Sequence, residues 1–179
     1  MKTLTKEMQT SISPSKALDL LKDGNKRFIN NLKFNRNLLQ MANETSDGQH
    51  PFAVILSCID SRTSAELIFD QGIGDIFSIR IAGNVVNEDI LGSMEFGCKV
   101  AGSKIIVVLG HTKCGAVKGA CDNVELGNLT SLIHKIKPAV DQEDTVNENR
   151  NSSNSIFVEK VAELNVAVSV KNILLHSPI

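Results

Sequence analysis

The sequence predicts an α/β fold: a central, mostly parallel β-sheet flanked by helices. Three observations predict it. Residues 52–56, 76–82 and 105–109 are short apolar runs of strand length, and continuous apolarity marks strands covered on both faces. Helical patterns separate them: residues 64–71, closed by Gly72, and residues 89–101, where Ile90, Met94, Cys98 and Ala101 fall on one face. Buried strands alternating with helices make a parallel sheet.

The remaining elements follow in order. Ser13 and Pro14 form an N-cap and a first helical position, and Ala17, Leu18, Leu21 and Phe28 continue as a helical stripe, so a helix is expected to end near Asn30. Residues 32–49 are mostly polar, with a Ser46-Asp47-Gly48 cluster, and read as a loop or a short second helix. Gly72-Ile73-Gly74 precedes a strand and lacks the third glycine of a nucleotide loop, so it reads as a tight turn. Helical composition returns from Cys114 through Ala120. Residues 141–155 read as a polar surface connection, and Phe157, Val161, Leu164 and Val168 mark a final helix.

Composition narrows the functional classes. The 179 residues are 42% apolar and 22% charged, enough for one full core without disulfide staples. A net charge of -1 gives no footprint for nucleic acid or an anionic membrane. The apolar runs are far shorter than the ~18 residues of a membrane span. Residues 1–11 carry no apolar signal-peptide core, so a cytoplasmic protein is expected. In that setting the acceptor patterns at Asn43, Asn128 and Asn151 are chance matches to glycosylation sites.

The chemistry gathers at two expected strand ends. The first runs into Cys58-Ile59-Asp60-Ser61-Arg62 and the third into Gly110-His111-Thr112-Lys113-Cys114-Gly115. In a parallel sheet the carboxyl ends of strands form one rim, where ligand sites are built. Two thiolates and an imidazole suit Zn²⁺ far better than Mg²⁺ or Ca²⁺, and in a tetrahedral shell they leave one position. Asp60 either fills that position and closes the site, or turns to Arg62 in a bidentate ion pair and leaves the position to water. A carboxylate held beside the metal can accept a hydrogen bond from that water and orient it. Gly115 is expected to allow close backbone approach beside Cys114 at a helix start. Cys98 and Cys121 are expected to be packed free thiols, and His50, His134 and His176 solvated surface residues.

The paired segments resemble the signatures of the β-class carbonic anhydrases. The resemblance extends to the segment from Ala17 through Gly24-Asn25-Lys26-Arg27-Phe28, to Ile79-Arg80-Ile81-Ala82-Gly83-Asn84, and to Gly92-Ser93-Met94-Glu95-Phe96. It implies zinc ligands Cys58, His111 and Cys114, one zinc per chain, with Asp60 and Arg62 as the gate and Asp60 as fourth ligand in a closed state. The implied reaction is reversible hydration of CO2 to bicarbonate and a proton, by attack of zinc-bound hydroxide. It also implies a homodimer or tetramer, with a helical arm over residues 1–48 packed on a partner and a zinc-binding core over residues 49–179. The substrate pocket would lie at the dimer interface, with Gln49 as an amide donor, Phe77 and Phe96 as walls, and Gly115 as a further substrate-binding residue. Such a small apolar pocket suits a neutral substrate without hydrogen-bond donors.

Two departures set further expectations. Arg80 matches an arginine of a non-catalytic bicarbonate site in a regulated subset of the family, but its tryptophan and tyrosine companions are missing from a chain with neither residue, so that regulation is not expected. Related chains continue past residues 177–179 into another strand, so the core is expected to be short at its C-terminus. Carbon disulfide or carbonyl sulfide hydrolysis, which the same fold supports, and a closed, inactive zinc site are the alternative readings.

Overall fold

The computed structural model describes residues 3–179. The three apolar runs form strands β1 (Ala53–Ser57), β2 (Ile76–Arg80) and β3 (Ile105–Leu109). Their order is β2-β1-β3 and both pairings are parallel. β1 is the middle strand and is buried throughout, as its unbroken apolar run requires. The sequence therefore predicted the fold class correctly.

Side-chain alternation divides the sheet between two sets of helices. Ala53 and Ile55 of β1, with Ile105 and Val107 of β3, face helix α2 (Pro14–Ile29) and helix α4 (Ala65–Ile68), packing with Ala17, Leu21 and Ala65. Val54 and Leu56 face the other way, toward Ile90, Leu91 and Met94 of helix α5 (Glu88–Glu95). Ser13 caps α2 as expected, accepting from the Lys16 N–H at 3.2 Å. Gly24 lets α2 close on the turn after α4: a Cβ there would lie 1.7 Å from the Phe69 carbonyl oxygen.

The chain begins with a helix that the polar N-terminal sequence did not reveal, α1 (Lys6–Ser11). Its Gln9 is buried and donates to the carbonyls of Pro51, at 2.7 Å, and Ala101, at 2.8 Å. Both α1 and α2 thus engage their own chain. The ambiguous segment after α2 contains a short helix, α3 (Leu38–Glu44). The expected helix over 89–101 is regular only to Glu95 and then widens into a π turn, Phe96–Val100. Gly97 makes the fit possible, since a Cβ there would sit 2.6 Å from Val54 Cγ2. The second strand stops at Arg80 because Ala82–Asn84 curls into a 3-10 turn, with Gly83 at φ 70° and Asn84 at φ 44°.

Beyond β3 come α6 (Gly115–Cys121), α7 (Gly127–His134), α8 (Lys137–Gln142) and α9 (Ser155–His176). They enclose a second apolar core that includes Val117, Ile133, Ile136, Phe157 and Val161. The expected surface connection before α9 is anchored inward. Glu143 is 3% exposed, accepts from Thr145 N–H at 3.0 Å and Val146 N–H at 3.2 Å, and pairs with Arg150 at 3.1 Å. Arg150 also lies over the Phe157 ring, 4.6 Å from its centroid. Among the described residues, no helix is long and apolar enough to cross a membrane.

The loop leaving α2 is fixed by Asp70, which is buried, accepts from the Phe34 N–H at 3.3 Å and pairs with Arg27 and Arg36. Burial raises the Asp70 pKa, but the hydrogen bonds from Arg27 and Arg36 outweigh it and hold the carboxyl below its usual range. A depressed folded pKa stabilises the fold above the unfolded value of about 3.9 and loses that contribution as pH falls through the folded value. D70N should therefore cost about 3 kcal/mol at pH 7. In urea unfolding the gap from the parent should narrow as pH drops below the ordinary carboxylate range, whereas a pH-independent gap would contradict this account.

Candidate metal centre

In the sheet register Ser57 lies opposite both Arg80 and Leu109. The residues that follow β1, β2 and β3 therefore emerge side by side at the carboxyl rim. Cys58 comes directly after β1. Gly110 and His111 come directly after β3, and Cys114 is the residue on which α6 begins. Between the last two, Lys113 adopts φ 55°, turning the chain back so that both His111 and Cys114 face Cys58. Gly110 is needed where β3 meets α9: a Cβ would lie 2.6 Å from Val166 Cγ2.

The two sulfur atoms are 4.0 Å apart. They and a nitrogen of His111 all lie within 4.8 Å of one another, with both cysteines buried. Zn–S bonds of ~2.3 Å at a tetrahedral angle would separate two sulfurs by about 3.8 Å, so the pair is already spaced for zinc. The imidazole fits as well. His111 Nδ1 lies 2.9 Å from the Thr112 carbonyl, which makes Nδ1 the protonated nitrogen and leaves a lone pair on Nε2. That Nε2 is buried and has no hydrogen-bond partner. A buried nitrogen lone pair beside two thiols is what a cation would satisfy.

The electrostatics point the same way. The hydrogen bond between the sulfurs draws the Cys58 thiol below its usual range and pushes Cys114 up. The Gly83 N–H adds a donor to Cys58 Sγ at 3.3 Å. Cys121 is a packed thiol, as expected, and burial pushes it up to about 11.

Asp60 stands beside this cluster, bound to Arg62. Its Oδ1 accepts from the Arg62 backbone N–H and Nε, each at 2.9 Å, and its Oδ2 accepts from Nη2 at 2.8 Å. Hydrogen bonds from Arg62 hold the carboxyl well below the usual carboxylate range. Oδ2 lies 3.9 Å from His111 Nε2.

Residues 53–179 match the carbonic anhydrase family. The chain belongs to the β-carbonic anhydrase family. It is 39% identical over 140 residues to carbonic anhydrase 2 of Mycobacterium tuberculosis and 37% identical over 134 residues to a carbonic anhydrase of Mycolicibacterium smegmatis. Each match covers 72% of this chain and 65% of the relative, so the chain spans just under two thirds of their length. A β-carbonic anhydrase structure from Aspergillus fumigatus superposes with a TM-score of 0.66 at 28% identity, covering 89% of this chain and 74% of that one.

Within this family member the residues assigned to a substrate pocket do not join the metal cluster. Phe77 pairs with Val54 in the register, four residues before Cys58, or about 13 Å down the sheet at ~3.3 Å per residue. Phe96 meets Phe77 edge to face, with centroids 6.2 Å apart. Gln49 is exposed in the loop before β1. Gly115 is exposed at the start of α6, and a Cβ there would meet no atom of its own chain within 4 Å.

The residues that sequence reasoning missed act on backbone. Arg80 donates from Nε to the Cys58 carbonyl at 3.1 Å and from Nη2 to the Asp60 carbonyl at 2.6 Å, bracing the loop between them. Gly83 serves Cys58 through its N–H. Glu159 of α9 accepts from the Lys113 N–H at 3.0 Å. Only the family pattern around Arg80 and Gly83 carried any signal for these roles.

C58S removes a donor from a buried three-atom set and should weaken zinc binding on the order of a hundredfold or more. C121S should bind zinc like the parent. Competition with a chromophoric chelator measures both, and equal losses would show that the cluster is misassigned.

Proposed function

We propose that this chain catalyses the reversible hydration of CO2 to bicarbonate, with one zinc held by Cys58, His111 and Cys114. The observation that carries the reading is the Asp60–Arg62 pair standing beside a three-donor cluster. Three donors would leave zinc open to water, and the Asp60 carboxylate is engaged by Arg62 at both oxygens. When bound, zinc supplies a Lewis acid that lowers the pKa of water and so provides a nucleophile near neutral pH.

The remaining work falls to the chain's own groups. Arg62 keeps Asp60 ionised and oriented through a two-pronged contact. Oδ1 already accepts two hydrogen bonds, whereas Oδ2 accepts one and retains a lone pair close to His111 Nε2. That lone pair can accept a hydrogen bond from water and aim the oxygen at a neutral electrophile. The Gly83 N–H spreads charge away from Cys58, which leaves the sulfur less able to quench the cation's acidity.

The substrate pocket is proposed to form between two copies of the chain. Phe77 and Phe96 line a groove of about 660 Å³ with Ser78, Ile79 and Gly92, away from their own chain's cluster. Phe28, Ile29, Leu32, Phe34, Leu38 and Leu39, around the end of α2 and in α3, are all exposed. Such a concentration of apolar surface suits burial against a second copy. In that arrangement one chain's aromatic residues and Gln49 would complete the other's site.

Stopped-flow measurement of CO2 hydration by zinc-loaded protein tests the reading, with carbonyl sulfide as the rival substrate. Turnover of carbonyl sulfide without CO2 turnover would sink it. D60N should retain zinc but lose about a hundredfold in kcat, the scale of a lost orienting group. Full activity in that variant would remove Asp60 from the mechanism.

A further inference from the structure

Helix α9 runs behind the carboxyl rim of the sheet, and its contacts with the metal centre share a pattern. Glu159, Ala162, Asn165, Val166 and Ser169 recur at three- and four-residue steps and occupy one face. Three of them are polar, and each reaches a backbone group in a loop that carries or supports a metal donor. None touches a donor atom.

Glu159 Oε1 accepts from the N–H of Lys113, the left-handed residue between His111 and Cys114. For an L residue that conformation is unfavourable and persists only where the surroundings hold it. Asn165 Nδ2 donates to the Gly83 carbonyl at 2.7 Å, and Ser169 Oγ donates to the Asn84 carbonyl at 2.9 Å. Gly83 and Asn84 are both left-handed, and the turn they make aims the Gly83 N–H at Cys58 Sγ. The close seating of Gly110 on Val166 sets α9 against the end of β3, where a Cβ on Gly110 would also lie 3.9 Å from Asn84 Oδ1.

Asn165 is the informative residue. It is 1% exposed, and Val161, Ala162 and Val168 around it on α9 are apolar and buried. Core stability alone favours an apolar side chain there, because a buried amide costs free energy unless it is fully hydrogen-bonded. Its Oδ1 has no partner. Among the described residues its one side-chain hydrogen bond is the one that holds the turn beside Cys58.

We infer that α9 is the positioning element of the metal centre, with Glu159 fixing the loop of His111 and Cys114, and Asn165 with Ser169 fixing the turn that supports Cys58. This rests on the reading of Cys58, His111 and Cys114 as zinc ligands. The three residues are positioning residues, and their effect is on how well the donors are arranged before the metal arrives.

The test compares full-length parent, E159A, E159Q, N165A and S169A. Zinc affinity is measured by chelator competition, the donor arrangement by the absorption bands of the Co²⁺-loaded proteins, and folding by thermal melting of the metal-free forms. E159A and N165A should bind zinc about tenfold more weakly or worse, the usual cost of losing a group that orients a ligand. Their cobalt bands should shift. E159Q keeps an oxygen acceptor of the same reach and should restore both affinity and spectrum toward the parent. Parent-like affinity and spectra in E159A and N165A would overturn the inference, as would equal losses in E159A and E159Q. Should N165A fail to fold, S169A and the Glu159 pair decide the matter. A parent that takes up neither zinc nor cobalt would overturn the zinc reading itself, and this inference with it. A parent that binds normally beside normal variants overturns only the role of α9.

Discussion

Two buried sulfur atoms 4.0 Å apart cannot both carry negative charge unless a cation lies between them. Much of this chain is arranged to hold them there. The parallel register brings the ends of β1 and β3 together, left-handed residues fold the following loops toward each other, and a nitrogen lone pair is buried beside them. A bound cation would turn that repulsion into coordination. The same electrostatics bear on Asp60, a third acidic group beside the two thiols, whose carboxylate is engaged by Arg62 at 2.8 Å.

Legibility from sequence followed the distance over which each interaction acts. The strands and the capped helix α2 were readable because apolar runs, Ser13 and Pro14 act over a few residues. Cys58, Asp60 and Arg62 fall within five residues, as do His111 and Cys114, so their chemistry was readable too. That both groups meet followed from the rule that parallel strands share a rim. Asn165 was not readable, because its partner is a carbonyl 82 positions away and a lone asparagine in an apolar stripe has no local signature. Glu159, 46 positions from Lys113, looked like any exposed helix acid. The π turn after Glu95 was hidden because the apolar spacing through Cys98 fits a regular helix. Residues 141–155 read as polar surface because composition does not tell a solvated glutamate from Glu143, buried against Arg150.

The division of the sheet gives the fold two separate tasks. Its two faces are covered by α2 with α4 and by α5, through the alternation of β1. The helices after β3 build their own core beyond the rim, and Cys58 and Cys114 belong to that cluster. The metal centre thus lies at a seam, with strand ends on one side and a helical layer on the other. Seams of this kind let loops carry chemistry while both flanking cores remain well packed.

The braces on that seam also set an order of events. Cys58 and Cys114 are 56 positions apart, and the side chains that hold their loops come from a helix beginning at Ser155. Contacts of such sequence separation form late, after the local elements and the cost of closing long loops. During synthesis the chain therefore displays both thiols well before the helix that organises them has left the ribosome. Until α9 docks, the two thiols lack the braces that hold their loops, and oxidation or a foreign metal can reach them first.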